Sequence, residues 1–434
     1  MPSDEPRPLR VLHIITRLIV GGAQENTLLT AIGQHQTPGM RVTLLTGIDD
    51  GPEGNLHDRA RAEGVDLQLM KELVRPIAPV TDLLALAKLT AFIRRGRFDV
   101  VHTHSSKAGI LGRIAARVAR TPIRVHTLHS LVFGEHASPM KNALYVRLKK
   151  LCAPLAHKII SVSDATRDGA IAAGIGRPEQ HITIFSGFDI APFLNIAAEL
   201  SVEEAKRRVG FSPEHLVVGK VARLFPQKGH DHFMAAARLI AAREPRARFL
   251  LVGDGILRSE LEAQAREHNL LDRFVFAGLV RPEAVPALIQ AMDVAVHTSI
   301  REGLARVIPQ ASAVGKPVVA FALDGTPEAI THGTSGFLTR PYDAAGIAER
   351  VLELLPDEPR RRAMGQAGRK FAAENFPVEV MVRRINEVYA DLVRARLPGR
   401  PAHFPVDSRA PPSSTAERNR SLAGNLNSDI MRDH

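Results

Sequence analysis

Short apolar runs alternate with helical patterns in two successive rounds along the chain. The first round begins with the apolar run Leu9–Ile15, continues with Gly21-Gly22, and enters a helical pattern at Gln24. A strand, a glycine turn and a helix in this order are typical of the start of a Rossmann-like unit. The runs that follow, with helices between several of them, predict a parallel sheet covered on both faces. They are Val42–Thr46, Val100–Thr103, Val125–Leu128 and Ile159–Val162.

A second round begins near residue 216. Leu216–Val221 has the pattern of a strand, Gly229–Arg243 that of a helix, and Arg248–Val252 that of a strand ending at Gly253-Asp254-Gly255. A chain of 434 residues is long enough for two domains with full cores. Two such α/β units predict ligand binding at the carboxyl ends of the strands. The later elements are a helix at Ser259–His268 and strands at Phe274–Ala277, Val294–Thr298 and Val318–Ala322.

The expected domain boundaries follow from these rounds. We predict a first domain over residues 9–195, a second over 196–377, and a final helix over 378–396. Residues 397–434 are rich in Pro, Ser, Arg and Asn and contain few large apolar side chains. Such a segment buries too little surface to offset its ordering entropy, so we expect a disordered tail.

Composition narrows the class of protein. Cys152 is the single cysteine, which rules out an internal disulfide and permits a reducing compartment. The acidic, proline-containing N-terminus does not resemble a secretory signal, and no apolar stretch is long enough to span a membrane, so we expect a cytoplasmic protein. The net charge of +11 suits an anionic membrane or a nucleotide diphosphate. Nucleic acid is disfavoured because Trp is absent and Tyr numbers three.

Two segments of the second round have the chemistry of a phosphate site. Glu302-Gly303 opens a predicted helix over Leu304–Val314, and the start of a helix offers unpaired N–H groups to phosphate. Pro309 falls inside this predicted helix and is expected to kink it. Upstream, a strand–helix turn carries Arg223 and Lys228, which supply a planar fork and a compact cation for one pyrophosphate. For these two cations alone, solvated loop side chains would be the simpler interpretation.

The turn sequence Val-Ala-Arg-Leu-Phe-Pro-Gln-Lys-Gly and the segment from Ser299 to Thr334 resemble the retaining glycosyltransferases of family 4. Ala222 stands where that family's G-R-L-x-x-x-K-G pattern has its first glycine. The resemblance extends over roughly residues 9 to 396 and implies the GT-B fold. In that fold an acceptor-binding Rossmann-like domain faces a nucleotide-sugar-binding one across a cleft. The C-terminal helix is then expected to cross back to the first domain.

The resemblance also implies roles for the donor-site residues. Arg223 and Lys228 would bind the donor diphosphate and stabilise the leaving nucleotide, while Glu302 would contact the transferred sugar. The family's second glutamate is replaced by Gln310, which keeps hydrogen bonding to the ribose without charge. The remaining donor contacts would come from Gly303, Leu304, Ala305, Gly278 and Val280, the first three on the diphosphate and the last two at the base.

The first domain would supply the acceptor side. Gly21-Gly22 resembles the family's closure loop, although a tight turn would explain it equally well. His129 matches the family's cleft histidine and joins Glu302, Arg223 and Lys228 as an expected catalytic residue, with a hydrogen-bonded loop histidine as the alternative. His104 and Lys107 could face the acceptor. Helix capping by the serines between them, Ser105 or Ser106, is equally plausible.

No metal or cofactor is expected. The chain contains no Asp-x-Asp motif, and fixed cations with a helix N-terminus can do the same electrostatic work. The pairs His102/His104 and His230/His232 lack a third ligand at a recognisable spacing.

A basic amphipathic segment lies between Glu135 and Asp164, where no acidic residue occurs. Its leucines recur at helical spacing, so they could face either an anionic membrane or the core. The leucines are Leu144, Leu148, Leu151 and Leu155, and the cations are Lys141, Arg147, Lys149, Lys150 and Lys158.

The sequence therefore predicts a metal-independent retaining glycosyltransferase, and the family resemblance implies a role in cell-envelope or exopolysaccharide synthesis. It would move a sugar from a nucleotide-diphosphate donor to a glycan or lipid-linked acceptor. Two alternatives remain, a GT-B-type nucleotide-sugar epimerase and a non-catalytic nucleotide-sugar-binding or partner protein.

Overall fold

The computed structural model describes residues 7–48, 54–130 and 139–399, without the side chains of residues 139–142. These residues form two compact units. Unit 1 contains the described residues up to Phe188 together with those from Val378 onward, and unit 2 contains Asp189–Pro377. Of the predicted tail, residues 400–434 lie outside the described residues.

Unit 1 is built on a seven-stranded parallel sheet with the order β3-β2-β1-β4-β5-β6-β7. The strands are β1 Leu9–Ile14, β2 Met40–Thr46, β3 Asp66–Leu69, β4 Val100–His104, β5 Ile123–Leu128, β6 Lys158–Ser161 and β7 His181–Thr183. The helices are α1 Gly22–His35, α2 His57–Ala62, α3 Pro79–Gly96, α4 Ser106–Val118, α5 Pro139–Cys152 and α6 Asp164–Ala172.

Unit 2 repeats this plan on a six-stranded parallel sheet with the order β10-β9-β8-β11-β12-β13. The strands are β8 Leu216–Val221, β9 Ala247–Val252, β10 Phe274–Gly278, β11 Val294–His297, β12 Val318–Phe321 and β13 Gly336–Thr339. The helices are α7 Ala191–Glu199, α8 Val202–Arg208, α9 His230–Arg243, α10 Arg258–Glu267, α11 Val285–Gln290, α12 Val307–Val314, α13 Ala344–Leu354 and α14 Glu358–Asn375.

The last helix, α15 (Val378–Arg396), returns to unit 1. Its apolar face joins the core formed by α1 and the sheet through Met381, Ile385 and Tyr389, and Tyr389 is fully buried. The α/β class, the two Rossmann-like units and the crossing of the final helix are therefore confirmed. None of the helices in the described part of the chain combines the length and the apolarity needed to cross a membrane.

The structure corrects two features of the predicted organisation. The units divide after Phe188 instead of residue 195, because α7 packs against α11 and α12 of unit 2. The helix expected at Leu304 begins at Val307, so the residues before it form a loop. Pro309 consequently lies in the first helical turn, where an N–H group would have no intrahelical partner, and the predicted kink has no cause.

Helix α5 is not a simple core helix. Leu144 is 50% exposed and Leu151 is 66% exposed, so the interpretation in which all four leucines face the core is wrong for these two. Arg147 and Lys150 are exposed on the same helix. Lys149 is buried instead, and burial, with the nearby Arg113 charge, lowers its pKa to about 8.

Candidate active site

Three of the predicted donor residues, Arg223, Lys228 and Glu302, lie at the topological switch point of the unit 2 sheet. Strands β8 and β11 are neighbours, and the chain leaves them towards opposite sides of the sheet. The loop after β8 carries Arg223 and Lys228, and the loop after β11 carries Glu302. A crevice at the carboxyl ends of such strands is where open α/β sheets bind ligands.

The turn before α9 has a fixed shape that requires glycine at position 229. Gly229 has φ +60°, and a Cβ atom there would lie 1.9 Å from the Thr298 carbonyl oxygen. The Thr298 hydroxyl donates to the Gly229 carbonyl oxygen at 2.7 Å. Lys220, which is 1% exposed in β8, donates to that hydroxyl and to the Lys228 carbonyl oxygen, the latter at 2.7 Å. The buried Lys220 therefore ties the loop after β8 to the segment after β11.

Lys228 and Glu302 meet across the two loops in an ion pair. The backbone N–H of Ile300 donates to the Gln227 carbonyl oxygen at 3.0 Å and fixes the same approach. The N–H of Glu302 donates to Asp324 Oδ2 at 2.8 Å, which adds the loop after β12. Three carboxyl-end loops thus position one cation and one carboxylate.

Arg223 lies in the same turn as Lys228. Its guanidinium group is exposed, stacks over the Phe225 ring at 5.3 Å from the centroid, and has no hydrogen-bonding partner among the described residues. Within the same part of the chain, the N–H groups of Gly303, Leu304 and Ala305 donate to no acceptor, although these residues are buried. A free cation and three unpaired amides are together suited to an anion.

The other predicted donor residues, Gln310, Gly278 and Val280, form no hydrogen bond with the Lys228–Glu302 pair in the described part of the chain. Gln310 is half-buried in the first turns of α12, and its side-chain amide has no hydrogen-bonding partner among the described residues. Gly278 ends β10 with φ +70°, so its backbone alone accounts for glycine. Val280 is half-buried in the loop that follows.

In unit 1, His129 and His104 are hydrogen-bonded to each other at the carboxyl ends of β5 and β4, with 3.2 Å between Nε2 of His129 and Nδ1 of His104. His104 is only 1% exposed, so the expectation that it faces the acceptor is wrong. His129 is half-buried. Burial lowers the pKa of His129 to about 4 and that of His104 well below its usual value, so both rings are neutral at pH 7.

A third histidine approaches the pair at His102 and His104, which the sequence spacing did not reveal. Ring nitrogens of His13, His102 and His104 lie within 4.8 Å of one another. However, His13 contacts His104 and Gln34, and His102 contacts Tyr389 and Thr127. Every nitrogen of the three rings already has a hydrogen-bonding partner, which makes this cluster a poor metal site.

The remaining acceptor-side residues have local roles. Lys107 forms an ion pair with Asp82 and donates to the Pro76 carbonyl oxygen. Ser105 precedes α4 but caps no N–H group, because its hydroxyl pairs with that of Thr16 at 2.9 Å, so the capping interpretation is wrong for Ser105. Gly21-Gly22 opens α1, and neither residue lies in the left-handed region. A strained turn therefore does not explain this pair of glycines.

Comparison with known proteins follows this division into units. The family described as Glycosyl transferases group 1 matches residues 201–371, within unit 2. The glycosyl transferase 4-like domain matches residues 21–185, within unit 1. The two matches together contain every residue assigned above to the donor or acceptor site.

Individual relatives agree with the family matches. The UDP-Gal:alpha-D-GlcNAc-diphosphoundecaprenol alpha-1,3-galactosyltransferase of Escherichia coli is 28% identical over 74% of this chain and 82% of its own length. The 2-deoxystreptamine glucosyltransferase of Streptomyces kanamyceticus is 29% identical over 68% of this chain and 78% of its own. HepE of Anabaena, solved in complex with UDP and glucose, has a TM-score of 0.70 and 26% identity, covering 88% of this chain and 99% of its own.

Proposed function

This chain belongs to the glycosyl transferases group 1 and is a glycosyltransferase, and from that premise we propose that it moves a sugar from a UDP-sugar to a glycan or lipid-linked acceptor with retention of configuration. The observation that carries the donor site is the ion pair of Lys228 and Glu302, with Arg223 in the same turn and without a hydrogen-bonding partner among the described residues. UDP is chosen because the E. coli relative uses UDP-Gal and the Anabaena structure contains UDP. The family matches and the relatives do not favour an epimerase or a non-catalytic protein.

The ion pair suggests how donor binding prepares the sugar contact. A diphosphate on Arg223 and on the amides of residues 303–305 would compete with Glu302 for the Lys228 ammonium group. Once Lys228 turns to the phosphate, the Glu302 carboxylate becomes available to sugar hydroxyls. The cations would then stabilise the negative charge that develops on the leaving nucleotide.

We further propose that the transfer needs no metal. Among the residues that the structure describes, unit 2 contains no group of three side chains placed to ligate one ion. Arg223, Lys228 and the loop amides would supply the compensating charge instead.

The donor proposal can be tested by calorimetry with UDP, GDP and ADP in the presence of EDTA. We expect UDP to bind under these conditions, since every proposed phosphate contact comes from the protein. Addition of Mg²⁺ after removal of EDTA should leave the affinity within about twofold. Binding that appears only with Mg²⁺ would contradict the metal-free site, and absence of UDP binding in both conditions would contradict the donor assignment.

For the acceptor, we propose a substrate held at an anionic membrane surface. The E. coli relative acts on a diphosphoundecaprenol-linked sugar. In unit 1, α5 exposes Leu144 and Leu151 with Arg147 and Lys150, and α3 exposes a strip of Val80, Leu83 and Leu84. Apolar side chains flanked by cations are suited to an anionic leaflet. The protein would thus act as a peripheral enzyme at the inner face of the cell membrane.

Vesicle co-sedimentation tests this surface. The double substitution Leu144→Ser/Leu151→Ser is expected to weaken binding to phosphatidylglycerol-containing vesicles by about 30-fold, because each exposed leucine contributes on the order of 1 kcal/mol of burial and the two contributions add to about 2 kcal/mol. The matched control is Leu239→Ser/Leu271→Ser, which changes two exposed leucines of unit 2. Equal binding by the two double variants would contradict the proposed contact, as would failure of the wild-type protein to bind.

A further inference from the structure

A continuous line of hydrogen bonds connects α15 with α1 inside unit 1. It begins at the backbone carbonyl oxygen of Gly33, which can only accept and which receives the Thr37 hydroxyl proton at 2.8 Å. Because that hydroxyl has one proton, Thr37 Oγ1 can only accept from Asn386 Nδ2, 3.4 Å away. The amide oxygen of Asn386 then accepts from Gln34 Nε2 at 2.9 Å. A backbone carbonyl group therefore fixes the orientation of both side-chain amides.

The amide of Gln34 sets the direction of the next three bonds. Its Oε1 can only accept, so His13 must donate from Nε2 at 2.8 Å. A neutral imidazole has one donor and one acceptor, so His13 Nδ1 accepts from His104 Nε2 at 3.0 Å. By the same rule, His104 Nδ1 accepts from His129 Nε2 at 3.2 Å.

The condition for this argument is that all three rings are neutral. Burial lowers the pKa of His13 to about 4 and that of His129 to about 4, and it lowers the pKa of His104 well below its usual value. The neighbouring His102 ring also disfavours a charge on His104. Each ring thus carries a single proton at pH 7.

The line ends at Nδ1 of His129, which has no partner among the described residues. His129 follows β5, at the same carboxyl edge of the sheet as Gly21-Gly22 and Lys107. We propose that the line holds His129 in its Nε2–H tautomer, so that Nδ1 accepts a hydrogen bond from a sugar hydroxyl, with Gln34 and Asn386 as positioning residues. The sugar contact rests on the proposed transferase function, whereas the tautomer rests on the hydrogen bonds alone.

Nitrogen-15 NMR of the histidine-labelled full-length protein tests the tautomer directly. The wild-type spectrum at pH 7.5 is expected to show His13, His104 and His129 with a protonated Nε2 and an unprotonated Nδ1. Single His→Gln variants would assign the three rings. A protonated Nδ1 on His129 would overturn the proposal whatever the activity of the enzyme.

Substitutions test the positioning residues. Gln34→Met removes the fixed acceptor, so His129 should populate both tautomers and kcat should fall severalfold with little change in the donor KM. Gln180→Met is the matched control, because it removes a buried glutamine of unit 1 that donates to the Ala156 carbonyl oxygen at 2.8 Å, away from the line.

Asn386→Leu provides a second break in the line, should Gln34→Met fail to fold. An unchanged His129 tautomer in the folded variants of both positions would overturn the positioning roles. A failure of UDP binding would leave the wild-type NMR spectrum unaffected and count against the donor assignment only. The two ideas therefore fail separately.

Discussion

Arg223→Ala is expected to lower the affinity for UDP by about 100-fold, which corresponds to about 2.7 kcal/mol. Arg223 is exposed, has no hydrogen-bonding partner among the described residues, and lies in the same turn as Lys228, so the loss would come from charge-assisted bonds to the diphosphate. Arg223→Lys should recover part of the affinity, because lysine restores the charge without the planar fork. Calorimetry with EDTA present measures all three proteins.

The control for this prediction is Arg243→Ala, an exposed arginine at the end of α9 in the same unit. It should bind UDP like the wild type. Both arginines are exposed, so neither alanine variant should change the thermal unfolding temperature appreciably. An Arg223→Ala protein that keeps wild-type affinity would show that the diphosphate does not bind at this turn.

Acidification is expected to destabilise unit 1 steeply between pH 6.5 and about pH 4. Burial lowers the pKa of His13 to about 4 and the pKa values of His102, His104 and His126 well below 6.5. Between pH 6.5 and about pH 4 these histidines are protonated in the unfolded chain but neutral in the folded chain. The free energy of unfolding is therefore highest above pH 6.5 and decreases as the pH is lowered through this window. Each histidine contributes about 1.4 kcal/mol per pH unit.

Urea titrations at several pH values measure this slope as proton uptake on unfolding. His13→Gln should reduce the uptake near pH 5.5 by about one proton, because it removes one ring that is neutral only when folded. His35→Gln is the control. His35 is exposed at the end of α1, so its ring contacts water in both the folded and the unfolded chain. The same pH slope in the His13→Gln variant and the wild type would contradict the assignment.

Apolar periodicity predicted most of the fold, and it failed where elements were short and polar. The edge strands β3 (Asp-Leu-Gln-Leu) and β7 (His-Ile-Thr) were missed, because three or four residues do not establish an alternating pattern. Glu302-Gly303 resembles a helix opening and therefore predicts that α12 starts at Leu304. In the structure, those residues are held in a loop by Asp324 and Lys228.

The buried residues that position the candidate site are harder to predict from the sequence than its exposed cations. Lys220 interrupts the apolar run Leu216–Val221, and a lysine inside a buried strand is a sequence signal for such a residue. His13 and Gln34 gave no comparable signal, since His13 meets His104 across 91 positions and Gln34 meets Asn386 across 352. Such contacts are created by the sheet order and by the return of α15, which local patterns do not encode.

The return of α15 also sets the order in which the two units can mature during synthesis. Among the described residues, unit 2 is the continuous stretch Asp189–Pro377, which can fold once it has left the ribosome. Unit 1 lacks Ile385, Tyr389 and Asn386 until the last helix is translated, so its apolar face and the Gln34 amide stay uncovered meanwhile. Unit 1 is therefore translated first but completed last, after unit 2 has already been able to fold.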